Sequence, residues 1–429
     1  MYARLFKTLS ALLLGTGQEV LFQLLGALLW IHFWGVQTYS DWLLLSLIPV
    51  LTTRGAAGVF HTAASEMIQR VAESDYDSAA VVVSALRQAQ RWCLSGAAVL
   101  FIVLSALLAV LSVDRQLSDL AVLMITALFI VQFALFQWQQ AELNFLKADL
   151  QAPVAVLWQT AFRSVFILAM LALSPIAGPA VCLATGVALQ AVVLVMTRRS
   201  IRSLKSQYPS ARASSQESTA VLRAGLQFSA FPLGQAALHN LAVWTLSLLA
   251  TPLAGAAFHN MRTICRIVVL VARAAEQALR LELSAVYTHG KFDIAKGAIR
   301  RMIQMTWALG GVLLVGLWIS GPWVFSIITR SALPFEFSTF VLLGLSAFVF
   351  ALAQPYSAAL FATNRHGPMA NRYLLILVTA GVITIPSALA GGSTVAIVIL
   401  VADIALLVLA RHTLVSLDRN VPEEASHVV

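Results

Sequence analysis

Residues 119–141 read DLAVLMITALFIVQFALFQWQQA, and this stretch decides the fold class of the chain. After Asp119 it contains no charged residue. An α-helix needs about 20 successive apolar residues to cross a bilayer. Similar windows recur along most of the 429 residues, and the chain is 59% hydrophobic and 11% charged. Soluble domains carry roughly 25% charged residues. The sequence therefore predicts an all-α polytopic membrane protein.

The apolar windows predict about twelve membrane-spanning helices. The first window contains Gln18 and Glu19, has no small-residue cleavage pattern, and is therefore expected to be a retained helix rather than a signal peptide. The predicted spans lie near 9–33, 41–63, 93–112, 119–141, 153–173, 177–197, 223–249, 253–274, 303–327, 337–360, 371–390 and 393–414.

Positive charges between the predicted spans are distributed very unequally. If the N-terminus is cytoplasmic, twenty-two lysines and arginines lie on the cytoplasmic side, against only Arg115 and Arg330 on the other. Cytoplasmic loops of membrane proteins carry an excess of Lys and Arg. The bias predicts that both termini are cytoplasmic, which requires an even number of spans. The formal net charge of +9 is therefore no indication of nucleic-acid binding.

Two amphipathic stretches between spans resemble one another. Residues 63–92 read AASEMIQRVAESDYDSAAVVVSALRQAQRW, and residues 274–307 read AAEQALRLELSAVYTHGKFDIAKGAIRRMIQMTW. Each lies between the second and third spans of its half. Two unrelated amphipathic helices could also look alike, but the matched position favours a duplication. Six spans per half make the repeats parallel, an arrangement that is common in transporters.

This duplication predicts a division into two lobes. We expect an N-terminal six-helix lobe over 1–200 and a C-terminal six-helix lobe over 223–415, followed by a cytoplasmic tail over 416–429. A basic cytoplasmic linker over 201–222 joins the lobes. Its surroundings, RRSIRSLKSQYPSARASSQES at 198–218, are Ser-rich and are predicted to be flexible.

A charged residue well inside a predicted span costs at least ~2.5–3.5 kcal/mol and usually faces a wet cavity or a partner. Four arginines are candidates for binding an anionic substrate: Arg54, Arg163, Arg262 and Arg266. Two acidic residues, Glu19 and Asp403, are candidates for ion coupling or charge pairing.

The repeat relates two of these arginines. With an offset of 212, Arg54 aligns with Arg266, and Arg262 lies one helical turn from Arg266 on the same face. Converging arginines repel one another unless an anion is present, and the planar guanidinium binds phosphate bidentately. The alternative is that each arginine reaches the headgroups or pairs with Glu19 or Asp403. Arg163 has no counterpart in the repeat.

The other polar residues do not indicate an enzyme. Glu19 could bind a coupling ion or hold an arginine, whereas Asp403 is expected to serve in helix packing or charge pairing. His239 and His259 could titrate or could simply satisfy hydrogen bonds. The chain has no phosphate-binding, dinucleotide-binding or zinc-protease motif, and the spacing of Cys93, Cys182 and Cys265 fits no metal site. We expect no catalytic residue, metal or cofactor.

The second and third spans and the segment between them carry a family resemblance. YSDWLLLSLIPVLTTRGAAGVFHTAASEMIQRV at 39–71 and the equivalent unit of the second half resemble Wzx-type polysaccharide flippases. These belong to the multidrug/oligosaccharidyl-lipid/polysaccharide (MOP) exporter superfamily. The helix pair ending in VVLVMTRRSIRSLKS also fits the close of a first lobe. The resemblance covers roughly 9–414 and implies a fold like that of the MATE exporters, with two lobes around a central cavity.

The resemblance implies a function as well. We expect an inner-membrane flippase that moves an undecaprenyl-pyrophosphate-linked oligosaccharide by alternating access, for O-antigen or exopolysaccharide synthesis. Expected partners are that lipid-linked oligosaccharide, membrane lipids, and a polysaccharide polymerase and glycosyltransferases. Two alternatives stay open: a cation-coupled multidrug or metabolite antiporter, and a non-transporting scaffold of a polysaccharide assembly complex.

Overall fold

A computed structural model describes residues 2–111, 116–149, 151–209, 211–288, 292–362 and 367–419. Within these residues the chain forms α-helices, one π-helical segment and turns, with no β-strand. The predicted all-α class is therefore confirmed.

The described residues form twelve long α-helices and one short one. A π-helical segment, Leu246–Ala250, follows α8 directly, and a single residue, Gly35, with a φ of +83°, separates α1 from α2. Glycine adopts this left-handed conformation without steric cost. The helices are α1 Tyr2–Trp34, α2 Val36–Ala72, α3 Tyr76–Leu111, α4 Asp119–Ala148, α5 Ala152–Leu173, α6 Pro179–Ser200, α7 Arg202–Lys205, α8 Ser215–Thr245, α9 Pro252–Thr288, α10 Phe292–Thr329, α11 Phe337–Ala362, α12 Gly367–Leu389 and α13 Gly392–Arg419.

Each predicted span coincides with one of the twelve long helices. Among the described residues, nine helices are long and apolar enough to cross a membrane, and Val20–Trp34 of α1 is a shorter apolar helix. The protein is a multi-pass membrane protein. The first amphipathic stretch is not a separate surface helix, because it consists of the end of α2, a turn at 73–75 and the start of α3.

Contacts between Cα atoms divide the chain into two compact units. We call Leu21–Ala256 with Ser326–Pro334 the N-unit, and Met1–Val20, Ala257–Phe325 and Phe335–Val429 the C-unit. The boundary between the units lies after Ala256 and not within the predicted linker at 201–222, because α8 packs on α2 and so belongs to the N-unit. The lobes at 1–200 and 223–415 stay a prediction from the repeat.

Within the N-unit, α2 and α8 run antiparallel. The carbonyl oxygen of Leu44 accepts a hydrogen bond from Trp244 Nε1 at 3.1 Å. Three residues further along α2, the carbonyl oxygen of Leu47 accepts one from Asn240 Nδ2, also at 3.1 Å. Near the other end of the pair, the backbone N–H of Gly58 donates to Ser229 Oγ at 2.9 Å. Small residues let membrane helices approach closely, and this contact joins α8 to the N-unit.

Side-chain amides connect several N-unit helices. Each donates to a backbone carbonyl of a neighbouring helix, as expected where lipid offers no alternative partner. The bonds run from Gln90 to Gln137, Gln139 to Trp158, Asn144 to Phe60 and Gln190 to Phe162, with lengths of 2.9–3.3 Å.

The segment that joins α6 to α8 is packed, so the prediction of a flexible linker is wrong. Tyr208 makes edge contacts with Phe145 and Tyr76, with ring centroids 5.0 and 5.7 Å apart. The backbone N–H of Ala213 donates to Ser84 Oγ at 3.0 Å. At the start of α8, Glu217 and the N-cap Ser214 form a reciprocal capping box, and these hydrogen bonds from Ser214 lower the pKa of Glu217.

In the C-unit, α11 and α13 run parallel. The carboxylate of Glu336 lies at the start of both helices, where it accepts hydrogen bonds from Thr339 at 2.6 Å, from Ser338 at 3.1 Å and from Ser393. Further along the pair, Ser346 donates to Asp403 at 2.5 Å. Hydroxyl–carboxylate hydrogen bonds therefore join the two helices at both places.

Candidate functional site

One face of α9 in the C-unit carries a row of cationic or titratable side chains. His259, Arg262, Arg266 and Arg273 are spaced by three, four and seven residues, which places them on one side of a helix. We call these four residues the α9 row. The ring of His259 is buried, and Arg262 lies within electrostatic range of Arg266 and Arg273. The row concentrates positive charge over three turns of one helix.

Arg262 makes no hydrogen bond or ion pair with any described residue. Its Nε atom is buried and has no acceptor, and the same holds for Nδ1 of His259 one turn away. A buried donor without an acceptor costs about 1–3 kcal/mol, and more if it is charged. The pair therefore presents unsatisfied N–H or imidazole groups to any ligand that reaches α9.

Two of the three other arginine candidates, Arg266 and Arg163, differ from Arg262. Arg266 and Arg163 are both half-buried, and each already interacts with another residue. Arg273, at the end of the predicted span 253–274, lies with its guanidinium carbon 5.2 Å from the ring centroid of Phe350. Of the α9 row, Arg262 is thus the guanidinium with the most unused donor capacity.

Arg54 is the corresponding cation of the N-unit. It lies within the apolar span of α2, is half-buried, and makes no hydrogen bond or ion pair with the described residues. Val50, Ala57 and His61 share its face of α2, and His61 is exposed with its ring 5.5 Å from that of Phe228. The correspondence of Arg54 with Arg266 stays a prediction from the sequence repeat.

Acidic groups buried in the helices have partners where the structure describes them. Asp403, which is 2% exposed, accepts the hydrogen bond from Ser346. Asp41 accepts from the backbone N–H groups of Gln116 and Leu117 at 2.8 and 3.1 Å. Glu142 pairs with Arg198 at 3.1 Å and with Lys205. The side chain of Glu19 is outside the described residues, so its predicted role stays a prediction.

This arrangement favours an anionic ligand over a cationic one. The described carboxylates Asp41, Glu142 and Asp403 are engaged in hydrogen bonds or ion pairs, whereas Arg54 and Arg262 are not. A guanidinium offers five donors in a planar fork that matches phosphate oxygens. Arg54 in the N-unit and Arg262 in the C-unit are thus both able to bind an anion. Among the described residues, no group of three or more His, Cys, Asp or Glu side chains could hold a metal ion.

Several polar residues that matter for the structure were not identified from the sequence. Asp41 was assigned to the start of a span and not recognised as buried, because its partners lie 75 residues away in the loop before α4. The run QWQQAELN at 137–144 contains five buried polar side chains. The clustering of these polar residues in an otherwise apolar span is the sequence feature that could have identified them as buried.

Comparison with known proteins establishes the fold. No protein-family model matches the chain, and no curated protein matches it. Solved structures do match along nearly the whole length. A eukaryotic MATE transporter aligns with a TM-score of 0.74 at 14% identity, covering 96% of this chain and 95% of its own. An inward-facing multidrug resistance MATE family transporter of the MOP superfamily aligns with a TM-score of 0.73 at 14% identity, covering 94% and 96%.

The chain has the MATE fold. A third match, a MOP superfamily transporter from Pyrococcus furiosus, has a TM-score of 0.67 at 14% identity and covers 96% of both chains. It is described as having a binding pocket of reversed polarity that suggests a different function. At this identity the MATE fold confirms the predicted architecture class and leaves the cargo to be argued from the residues.

Proposed function

We propose that this MATE-fold protein is a transporter that moves an anionic lipid-linked oligosaccharide across a bacterial inner membrane by alternating access. The proposed cargo is an undecaprenyl-pyrophosphate-linked oligosaccharide for O-antigen or exopolysaccharide synthesis. The observation that carries the proposal concerns Arg54 on α2 and Arg262 on α9, two guanidinium groups without a hydrogen-bonding or ion-pairing partner among the described residues.

The energetic cost of these arginines supports an anionic cargo. A cation at membrane depth costs at least ~2.5–3.5 kcal/mol, and an internal carboxylate would reduce that cost. Asp403 and Glu142 are instead engaged with Ser346 and with Arg198 and Lys205. A pyrophosphate supplies several acceptor oxygens for the unused donors of a guanidinium such as Arg262 or Arg54, each considered within its own unit. Binding the cargo would therefore offset the cost of burying the guanidinium groups.

The polarity of the pocket is a reasonable criterion for function within this fold. For the MOP superfamily transporter from Pyrococcus furiosus, the reversed polarity of the binding pocket is said to suggest a different function. A cation-coupled drug antiporter needs a carboxylate that can exchange its cation. Glu19 is the remaining candidate for that role. Asp41 and Asp403 already accept hydrogen bonds, and this favours the flippase over the antiporter.

The test is transport in proteoliposomes that contain a fluorescent undecaprenyl-pyrophosphate oligosaccharide. A membrane-impermeant reductant quenches only the outer leaflet, so the rate of loss of the protected signal reports flipping. We expect Arg54→Gln and Arg262→Gln each to slow flipping at least tenfold, which corresponds to about 1.4 kcal/mol. Arg54→Lys and Arg262→Lys should lose less, because the charge remains.

Arg301→Gln is the matched control, because Arg301 is an exposed arginine of α10 and should be replaceable without effect. Flipping at the wild-type rate by both Gln variants would exclude the proposed arginine role. Efflux of a cationic dye driven by a proton or sodium gradient, without flipping of the lipid, would support the antiporter instead. If a well-folded preparation shows neither lipid flipping nor dye efflux, that result would support the scaffold hypothesis.

A further inference from the structure

The lipid-facing surfaces of α4 and α6 meet at one end in a cluster of basic residues and one tryptophan. On α4, exposed apolar side chains recur at helical spacing through Leu123, Met124 and Val131 and end at Trp138, which is 45% exposed. On α6, the exposed residues Val192, Val195 and Met196 lead to Arg199. In a membrane helix such apolar stripes face acyl chains, and Trp marks the headgroup level.

Arg198 joins the two helices at this point. Its guanidinium carbon lies 5.7 Å from the ring centroid of Trp138, and its Nε donates to Glu142 at 3.1 Å. The side chain of Arg198 is 46% exposed, and its terminal Nη groups have no partner among the described residues. The stack on Trp138 and the bond to Glu142 therefore hold a guanidinium with two free nitrogens at the membrane surface.

The cluster carries excess positive charge. Glu142 is shared by Arg198 and Lys205, whereas Arg199 and Arg202 are exposed and have no ion-pair partner among the described residues. The cluster thus contains four basic side chains, and the carboxylate of Glu142 pairs with two of them. The distribution of Lys and Arg along the chain predicts that this end of α4 and α6 is cytoplasmic, where basic clusters attract anionic headgroups.

We propose that Trp138, Arg198 and Arg199 form a binding site for an anionic phospholipid of the cytoplasmic leaflet. The phosphate is held by the Nη groups of Arg198 and by Arg199, and the acyl chains lie along the exposed apolar stripes of α4 and α6. Charge complementarity and the continuous apolar stripes both favour a lipid over a soluble ligand. The inference does not depend on the transported cargo.

The experiment measures lipid retention by the purified full-length protein using native mass spectrometry. The probes are dioleoyl-phosphatidylglycerol and dioleoyl-phosphatidylcholine, which share acyl chains and differ in headgroup charge. Wild-type protein should retain phosphatidylglycerol preferentially. Arg199→Gln and Arg198→Lys should each reduce that retention several-fold, since the first removes a charge and the second removes the planar fork.

Arg301→Gln is the control, because it removes the same charge from an exposed arginine on α10. A Trp138→Phe variant adds a positional readout: brominated phosphatidylglycerol should quench less tryptophan fluorescence in the variant than in the wild type. Each variant is first checked for a monodisperse elution profile and an unchanged melting temperature.

Three outcomes would overturn the site. The first is equal loss of retention in Arg199→Gln and Arg301→Gln, which would show nonspecific charge attraction. The second is equal retention of both lipids by the wild type. The third is complete displacement of phosphatidylglycerol by millimolar inorganic phosphate, which would show a site for the free anion.

Discussion

The backbone N–H of Gly58 on α2 donates to the hydroxyl oxygen of Ser229 on α8 at 2.9 Å. The two helices are in such close contact there that a Cβ at Gly58 would clash with the carbonyl oxygen of Gly225. A Cβ at Gly225 would in turn lie 2.5 Å from the Cα of Val59. Backbone therefore packs directly against backbone, so neither helix can move aside by changing a rotamer.

Gly58→Ala and Gly225→Ala should both destabilise the protein. Forcing extra methyl groups into packed helices costs about 1–3 kcal/mol, and here the neighbouring atoms belong to the backbone. The measurement is the melting temperature in detergent by intrinsic fluorescence. Gly96→Ala is the control, because nothing lies within 4 Å of its Cβ position. Equal melting temperatures for Gly58→Ala and Gly96→Ala would contradict the close contact.

Asp41→Ala should destabilise the packing of α2 against the start of α4. The change leaves the backbone N–H groups of Gln116 and Leu117 without their carboxylate acceptor, at a cost of about 1–3 kcal/mol. Asp41→Asn should recover much of the loss, because both groups bond to one oxygen, Oδ2, which an amide oxygen can replace. An Asn variant as unstable as the Ala variant would show that the charge matters more than these two bonds.

The stability of the C-unit should depend on pH through Glu336. Partial burial raises the pKa of its carboxyl, but hydrogen bonds from Ser393, Thr339 and Ser338 outweigh burial and hold this pKa below its ordinary value of 4.5. A folded pKa below the unfolded one adds stability above the unfolded pKa, and this stability is lost as the pH falls through the folded pKa.

Melting curves of wild type and Glu336→Gln at several pH values test this. The wild type should melt higher at pH 7, and the difference should shrink as the pH falls below about 4.5. A difference that stays constant down to pH 3 would mean that Glu336 acts through geometry alone.

Tyr208 should titrate at unusually high pH. Burial, together with the negative charges that Tyr76 and Asp149 carry at alkaline pH, raises the pKa of its phenol to about 12. Because the folded state disfavours the phenolate, this residue should lower stability only above about pH 10, where the unfolded chain ionises first. The ultraviolet difference titration between wild type and Tyr208→Phe should show one phenol near pH 12. A phenol that titrates near pH 10 would contradict its burial.

Tyr208→Ala should release the segment between α6 and α8. Loss of the contacts with Phe145 and Tyr76 should speed tryptic cleavage after Arg202 or Arg212 by about tenfold, which corresponds to about 1.4 kcal/mol of local opening free energy. Tyr208→Phe keeps both ring contacts and is the control. Rapid cleavage of the wild type would instead support a flexible linker.

The error about this linker has a physical cause. Its Ser, Arg and Pro residues are typical of flexible connections, and local composition carries no information about a long-range aromatic contact such as that of Tyr208 with Phe145. The same applies to α8, which the repeat assigns to the second half. Its contacts with α2 depend on Gly58, Gly225 and Ser229, residues that have no distinctive pattern when each helix is considered alone.

The membrane helices, in contrast, could be predicted directly from the chain. A helix in lipid must satisfy its backbone hydrogen bonds internally, so each span is recorded locally in about twenty consecutive residues such as 119–141. The sequence by itself therefore determined the membrane class and the positions of the long helices. Only the tertiary structure decided which charges have partners. Asp41 and Asp403 obtain theirs from distant segments, whereas Arg54 and Arg262 obtain none among the described residues, because pairing depends on which helices meet.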